Sequence, residues 1–205
     1  DLERLSVEML LSNQFQVPKI TSQPQKNKLK LEEIILYSNQ SYQSSVRLVE
    51  GNRIARHLIM LPTNYLTASH YLDWIKEMSH AYQWSYKCYD KKELSALNAN
   101  GFLAVSRASE SAGIVCLKWS HPSPKKKVAL VGKGVCFDTG GVNVKPPQYM
   151  YGMHEDMGGS AVALGAFYAL TQLNLPVELE CWLAICDNMI GSNAYLPNEV
   201  ITMAN

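Results

Sequence analysis

Hydrophobic residues recur near helical spacing in two long stretches of the chain. In VRLVEGNRIARHLIMLP these are Val46, Leu48, Val49, Ile54, Leu58 and Ile59, and Pro62 closes the pattern. Thr67 is placed to cap a second helix, ASHYLDWIKEMSHAYQ, whose apolar side includes Leu72, Ile75, Met78 and Tyr82. LSVEMLLSN and KKELSALN read as shorter helices, and SAVALGAFYALTQLN, apolar almost all round, reads as a buried one. Elsewhere the pattern is that of strands: YKCY, FLAVSRAS, AGIVCLKWS, KVALVGKGV, PVELECWLAICDN and a final EVITM. LEEIILYSN reads as a strand or the edge of a preceding domain, and SQPQKNKLK as a linker or exposed loop. Strands alternating with helices predict an α/β fold, a central mixed sheet flanked by helices.

Composition narrows the class. Of 205 residues, 47% are hydrophobic and 18% charged, which supports a sizeable core and excludes disorder as the main state. A net charge of +1 gives no overall field for nucleic acid or an anionic membrane, so neither is expected as a partner. The run Lys125-Lys126-Lys127 reads as a solvated turn before a strand, and AVALGAFYAL is too short to span a bilayer. The 5 cysteines lack CxxC spacing and lie in or near apolar runs, which suits reduced, buried thiols in a cytoplasmic protein.

The chemistry concentrates between Val128 and Ser160, where Lys133, Asp138, Lys145, Glu155 and Asp156 crowd beside an apolar strand. The phosphate-loop pattern GxxxxGK[ST] and the dinucleotide pattern GxGxxG both fail here, and His154-Glu155 opens an HExxH helix that Gly158 breaks. Two readings remain open. Asp138 and Asp156 converge on a divalent cation that offsets their repulsion, with Lys133 either paired to an acid or contributing a free amine as ligand. Alternatively, a Lys133–Asp138 or Lys145–Asp156 ion pair holds a glycine-rich turn.

VGKGVCFDTGGVNVKP and MHEDMGGSA resemble the active-site segment of the leucine (cytosol) aminopeptidases, a di-metal family whose form there is close to VGKGxTFDSGGxSxKP and MxxDMxGAA. NRIARHLIMLPTNYLTA and CDNMIGSNAYLPNEVITM extend the resemblance over roughly Ser45 to Asn205. It implies that Lys133, Asp138 and Asp156 are metal ligands: Lys133 through a neutral amine on the tighter metal, Asp138 bridging both metals, Asp156 beside the substrate's amino terminus. It also implies that Lys145 stays charged and polarises the scissile carbonyl, stabilising the gem-diolate. Met153 falls where the family lines its first side-chain pocket. The implied cofactors are two divalent ions, manganese, zinc or magnesium, with bicarbonate as base; the implied substrates are peptides with apolar, leucine-like amino termini. The implied assembly is a hexamer.

The sequence also departs from the family. Asn143 stands for a common serine, Leu196 for an arginine and Asn198-Glu199 for Gly-Asp. The family's second motif, Asn-Thr-Asp-Ala-Glu-Gly-Arg, is not in this chain. The expected organisation is therefore 1–44 as remnant and linker of an amino-terminal domain and 45–205 as the first part of the catalytic domain. A carboxy-terminal companion chain would complete the enzyme. The alternative is an inactive fragment or paralogue serving assembly or binding.

Overall fold

The computed structural model describes residues 2–18, 20, 33–35, 37 and 39–204. Helix α1 (Leu2–Asn13) packs on α2 (Gln43–Ile59), where Arg53 and Arg56 donate to the Leu11 and Ser12 carbonyls at 2.7 and 3.1 Å. Helix α3 (Ala68–Ala81) begins as expected at Thr67, whose hydroxyl accepts from the His70 N–H at 3.3 Å. Strand β1 (Ser85–Asp90) leads into α4 (Lys91–Ala96) through a reciprocal cap between Asp90 and Glu93. Then come α5 (Asn100–Val105), β2 (Gly113–Ser120), β3 (Lys126–Asp138), the short α6 (Pro147–Met150), α7 (Gly158–Gln172) and β4 (Val177–Asn188).

The sheet runs β1-β2-β4-β3, with β1–β2 and β2–β4 antiparallel and β3–β4 parallel, the mixed sheet predicted. A parallel pair needs a crossover, which α7 supplies. Tyr71 and Ile75 of α3 and Leu164 and Phe167 of α7 form one fully buried layer with Val115, Leu117, Leu179, Cys181 and Leu183 of the sheet. Each such apolar side chain contributes about 1.5–3 kcal/mol by leaving water. Behind α7 lies α2. Gly51 and Gly165 meet there backbone to backbone, so a Cβ on either would strike the other's carbonyl oxygen. That contact fixes α7 between α2 and the sheet.

Several expectations are corrected. FLAVSRAS is not a strand; its first part is α5. A short apolar run fits either period, and here the sheet positions are taken by β1, β2 and β4. EVITM forms no strand and lies beside α5, with Asn100 donating to the Thr202 carbonyl at 2.7 Å. Lys126 and Lys127 belong to β3 rather than to the turn before it, and Lys127 pairs with Glu178 at 3.0 Å across the parallel register. Of LEEIILYSN, residues 33–35, 37 and 39 are in no strand and the rest lie outside the described residues, as does all of SQPQKNKLK. All 5 cysteines are free thiols, and 4 of them are buried.

Candidate active site

The candidate residues meet at the carboxyl ends of the parallel strands β3 and β4, where α/β sheets place their sites. Gly132 of β3 faces α7, whose first turn leaves no room for a Cβ there, and a Cβ on Gly134 would strike Ile185 and the Ala184 carbonyl of β4. Lys133, between them, belongs to the opposite face. Because β3 is an edge strand, the lysine reaches Asp156 in the turn leading into α7, Nζ to Oδ2 at 2.8 Å. That Oδ2 is buried and accepts no hydrogen bond in proper geometry. The Lys133 ammonium is the one partner this oxygen has among the described residues.

Asp138 ends β3 just past an irregularity in its register with β4. Its Oδ1 accepts from the Gly140 N–H at 2.9 Å and from the Asn188 amide at 2.7 Å, and its Oδ2 from Lys145 Nζ at 2.7 Å. Burial pushes the Asp138 carboxyl up, but Lys145, Gly140 and Asn188 outweigh it and hold the group below the usual aspartate range. Lys145 Nζ also lies 2.9 Å from Met153 Sδ, which brings the thioether into the cluster. The main-chain N–H of Lys145 donates to the Thr139 carbonyl at 2.9 Å, so the loop folds back on the strand end. Gly140 and Gly141, at φ of 88° and 68°, allow that reversal.

The ion pairs are crossed relative to the sequence reading: Lys133 holds Asp156, and Lys145 holds Asp138. Glu155 is 61% exposed and lies 3.7 Å from His154, away from these pairs. Burial pushes the Cys186 thiol up to about 12 and the Cys136 thiol up as well. Among the described residues no three His, Cys, Asp or Glu side chains group as a metal site. The donors present are two aspartates and the Lys133 amine. They fit part of a hard-cation site, and the buried Asp156 Oδ2 without a hydrogen bond is what a cation would satisfy. A recess of about 330 Å³ adjoins them, lined by Phe102, Val105, Val135 and Cys186 together with Lys133 and Asp138.

The catalytic-domain signature of the cytosol aminopeptidase family matches residues 53–205. The chain belongs to that family. It is 38% identical over 160 residues to a probable cytosol aminopeptidase of Clostridium tetani, covering 77% of this chain and 33% of that protein. With a probable cytosol aminopeptidase of Stutzerimonas stutzeri it shares 34% over 210 residues, 97% of this chain and 42% of the relative. Among solved structures, the cytosol aminopeptidase of Coxiella burnetii superposes with a TM-score of 0.85 at 28% identity, covering 98% of this chain and 43% of that one. The bottromycin maturation enzyme BotP, solved in complex with manganese, superposes equally well at 29% identity, covering 97% of this chain and 42% of that one. The chain thus spans about a third to two-fifths of its relatives' length. The family consists of metal-dependent exopeptidases. No helix among the described residues is long and apolar enough to cross a membrane.

Two residues of this cluster escaped the sequence reading. Asn188 and Thr139 lie in segments that the resemblance covers, yet neither carries a charge or a ligand spacing to single it out. Their partners are 50 and 49 positions away along the chain.

Proposed function

We propose that this chain carries half of the active site of a di-metal aminopeptidase that removes apolar, leucine-like residues from the amino termini of peptides. The observation that carries the reading is the Lys133–Asp156 contact, an amine 2.8 Å from a buried carboxylate oxygen that accepts no hydrogen bond. Lys133, Asp138 and Asp156 would hold divalent ions, manganese, zinc or magnesium. Such ions activate water and draw electrons from the peptide carbonyl. The remaining ligands and the base, bicarbonate in the family the sequence resembles, would come from a carboxy-terminal companion segment.

This chain's own residues do the rest. Asp156 sits at the start of α7 and offers its carboxylate to the substrate's ammonium group. Lys145, which donates to Asp138 at 2.7 Å, is placed to donate to the oxygen that becomes negative as the carbonyl is attacked. Met153, in contact with Lys145, and the recess beside Phe102 and Val105 supply apolar surface for a leucine-like side chain. Assembly into a hexamer and a cytoplasmic location are parts of the same proposal.

Arginine at position 133 distinguishes a ligand from a structural ion pair. Lys133→Arg keeps a cation facing Asp156 but has no lone pair to give, because its guanidinium stays protonated. Manganese binding is read by electron paramagnetic resonance alongside the melting temperature. The reading requires that the wild-type chain bind manganese and that Lys133→Arg lose the binding while melting normally. A wild-type chain that binds none, or an arginine variant that binds equally well, overturns it. Mixed with a chain bearing the second acidic motif, the protein should release leucine from leucyl peptides. Lys145→Ala should slow that release by about 10²–10³-fold, the usual loss for an oxyanion donor.

A further inference from the structure

We infer that Asn188 is a positioning residue for the metal site: its side-chain amide aims the Asp138 carboxylate, and its main chain fixes the loop that delivers Lys145. The inference rests on the metal-site reading above and adds to it a residue from the neighbouring strand.

Asn188 is the last residue of β4 and lies opposite Asp138 in the parallel register. Its main-chain carbonyl accepts twice from Thr139, from the N–H at 2.9 Å and from the hydroxyl at 2.8 Å. Thr139 is 4% exposed, so this junction is closed to water. The threonine hydroxyl in turn accepts from the Gly141 N–H at 3.2 Å, and the threonine carbonyl accepts the Lys145 N–H. One main-chain oxygen of β4 therefore sets the path of the glycine turn and the place where Lys145 re-enters.

The side chain does something separate. Nδ2 donates to Asp138 Oδ1 at 2.7 Å, and the Gly140 N–H donates to the same oxygen at 2.9 Å. A carboxylate only accepts, so the amide presents its NH₂ side here. Two donors on Oδ1 fix the rotation of the carboxylate plane, and with it the direction of Oδ2. Outer partners of this kind typically change metal affinity by about 10–100-fold when removed. Asn188 meets the description without being a ligand itself.

Because the main-chain bonds to Thr139 survive any substitution at 188, the two roles can be separated. Asn188→Leu keeps similar bulk and the backbone clamp but removes the donor. The expected result is manganese affinity weakened by about 10–100-fold with the melting temperature close to wild type. A purely structural Asn188 would instead lower the melting temperature and leave affinity unchanged in the folded fraction, and that result overturns the inference. A second readout needs no variant. The side-chain amide signal of Asn188 in the wild-type protein should shift when zinc is added, and an unmoved signal in zinc-loaded protein overturns the inference as well. Should the wild-type chain bind neither ion, the metal-site reading falls first and this one with it, whereas failure of the asparagine tests alone leaves that reading standing.

Discussion

Replacing Gly132 with alanine tests the claim that β3 and the start of α7 are packed at the backbone limit. The new Cβ would stand 2.5 Å from Ser160 Cα, 2.8 Å from the Gly159 carbonyl oxygen and 2.9 Å from the Ser160 nitrogen. Carbon atoms pack without strain at about 3.5–4.0 Å, so the helix start must retreat by about 1 Å. All three neighbours are main-chain atoms, so no side chain can swing aside. Nor can α7 back away freely, because Gly165 already rests on Gly51 of α2. The cost should lie at the upper end for overpacking, about 3 kcal/mol. Loss of glycine's freedom in the unfolded chain offsets about 0.4–1 kcal/mol of this, leaving about 2 kcal/mol. At about 2–4 °C per kcal/mol for a chain this long, the melting temperature should fall by about 4–8 °C. Gly152→Ala is the control, since a Cβ there meets nothing within 4 Å, and it should melt as the wild type does. Thermal unfolding followed by circular dichroism compares the three. If Gly132→Ala melts within a degree of wild type, the packing argument is wrong, and with it the reason for a glycine at position 132.

Two further outcomes follow from burial. Phe167 is fully buried with its ring edge-on to Trp84 at 4.9 Å, so Phe167→Ala should cost about 3–5 kcal/mol in urea unfolding; a loss below 1 kcal/mol would show that this layer is not the core. Asp187 lines a cleft of about 580 Å³ with Thr67 and Glu110, and burial raises its carboxyl above the ordinary 3.8 although the nearby Ala68 and Phe137 main chain and Ser109 favour the ionised form. The folded state then holds a proton that the unfolded chain has released, so this group's stabilisation is full below pH 3.8 and is lost as pH rises through the folded value. Asp187→Asn removes that slope, and the stability of wild type relative to the variant should decline from pH 3.8 towards neutrality. Parallel profiles for the two proteins would contradict it.

The elements that the sequence made legible are those in which one periodicity dominates. Helix α3 carries its cap at Thr67 and its core face at Ile75 and Met78 as expected, although Tyr71 rather than Leu72 or the exposed Tyr82 completes that face, and α7 is apolar enough to read as buried. FLAVSRAS was not legible, because eight residues with alternating and adjacent apolar positions satisfy either period. What decides it is α5's place over the end of β4, a tertiary fact. Strand order was hidden for the same reason: β4 sits between β2 and β3 although it comes last in the chain. The candidate site was legible as a set of residues but not as a set of contacts. Spacing pairs Lys133 with Asp138, five positions on, whereas an edge strand lets Lys133 turn towards α7 and leaves Asp138 to Lys145. The Asn188 contact joins residues 50 apart and had no local signal.

The crossed pairing also explains why a chain with so little charge gathers it beside the core. Each ion pair joins two different segments: Lys133 ties β3 to the turn before α7, and Lys145 ties the glycine loop back to the end of β3. Had Lys133 paired with Asp138 instead, that bond would have stayed within β3, and no ion pair would tie β3 to the turn before α7. The two pairs differ in exposure. Lys145 is 28% exposed and its bond to Asp138 has proper hydrogen-bond geometry, whereas the Lys133 side chain is 59% exposed and meets Asp156 without a hydrogen bond. An exposed lysine on an edge strand adds little stability, of the order of 1 kcal/mol or less. Structural need therefore accounts well for Lys145–Asp138 and poorly for Lys133–Asp156. The weaker ion pair is the one whose residues have coordination to spare, which makes Lys133 the more informative position for testing metal binding.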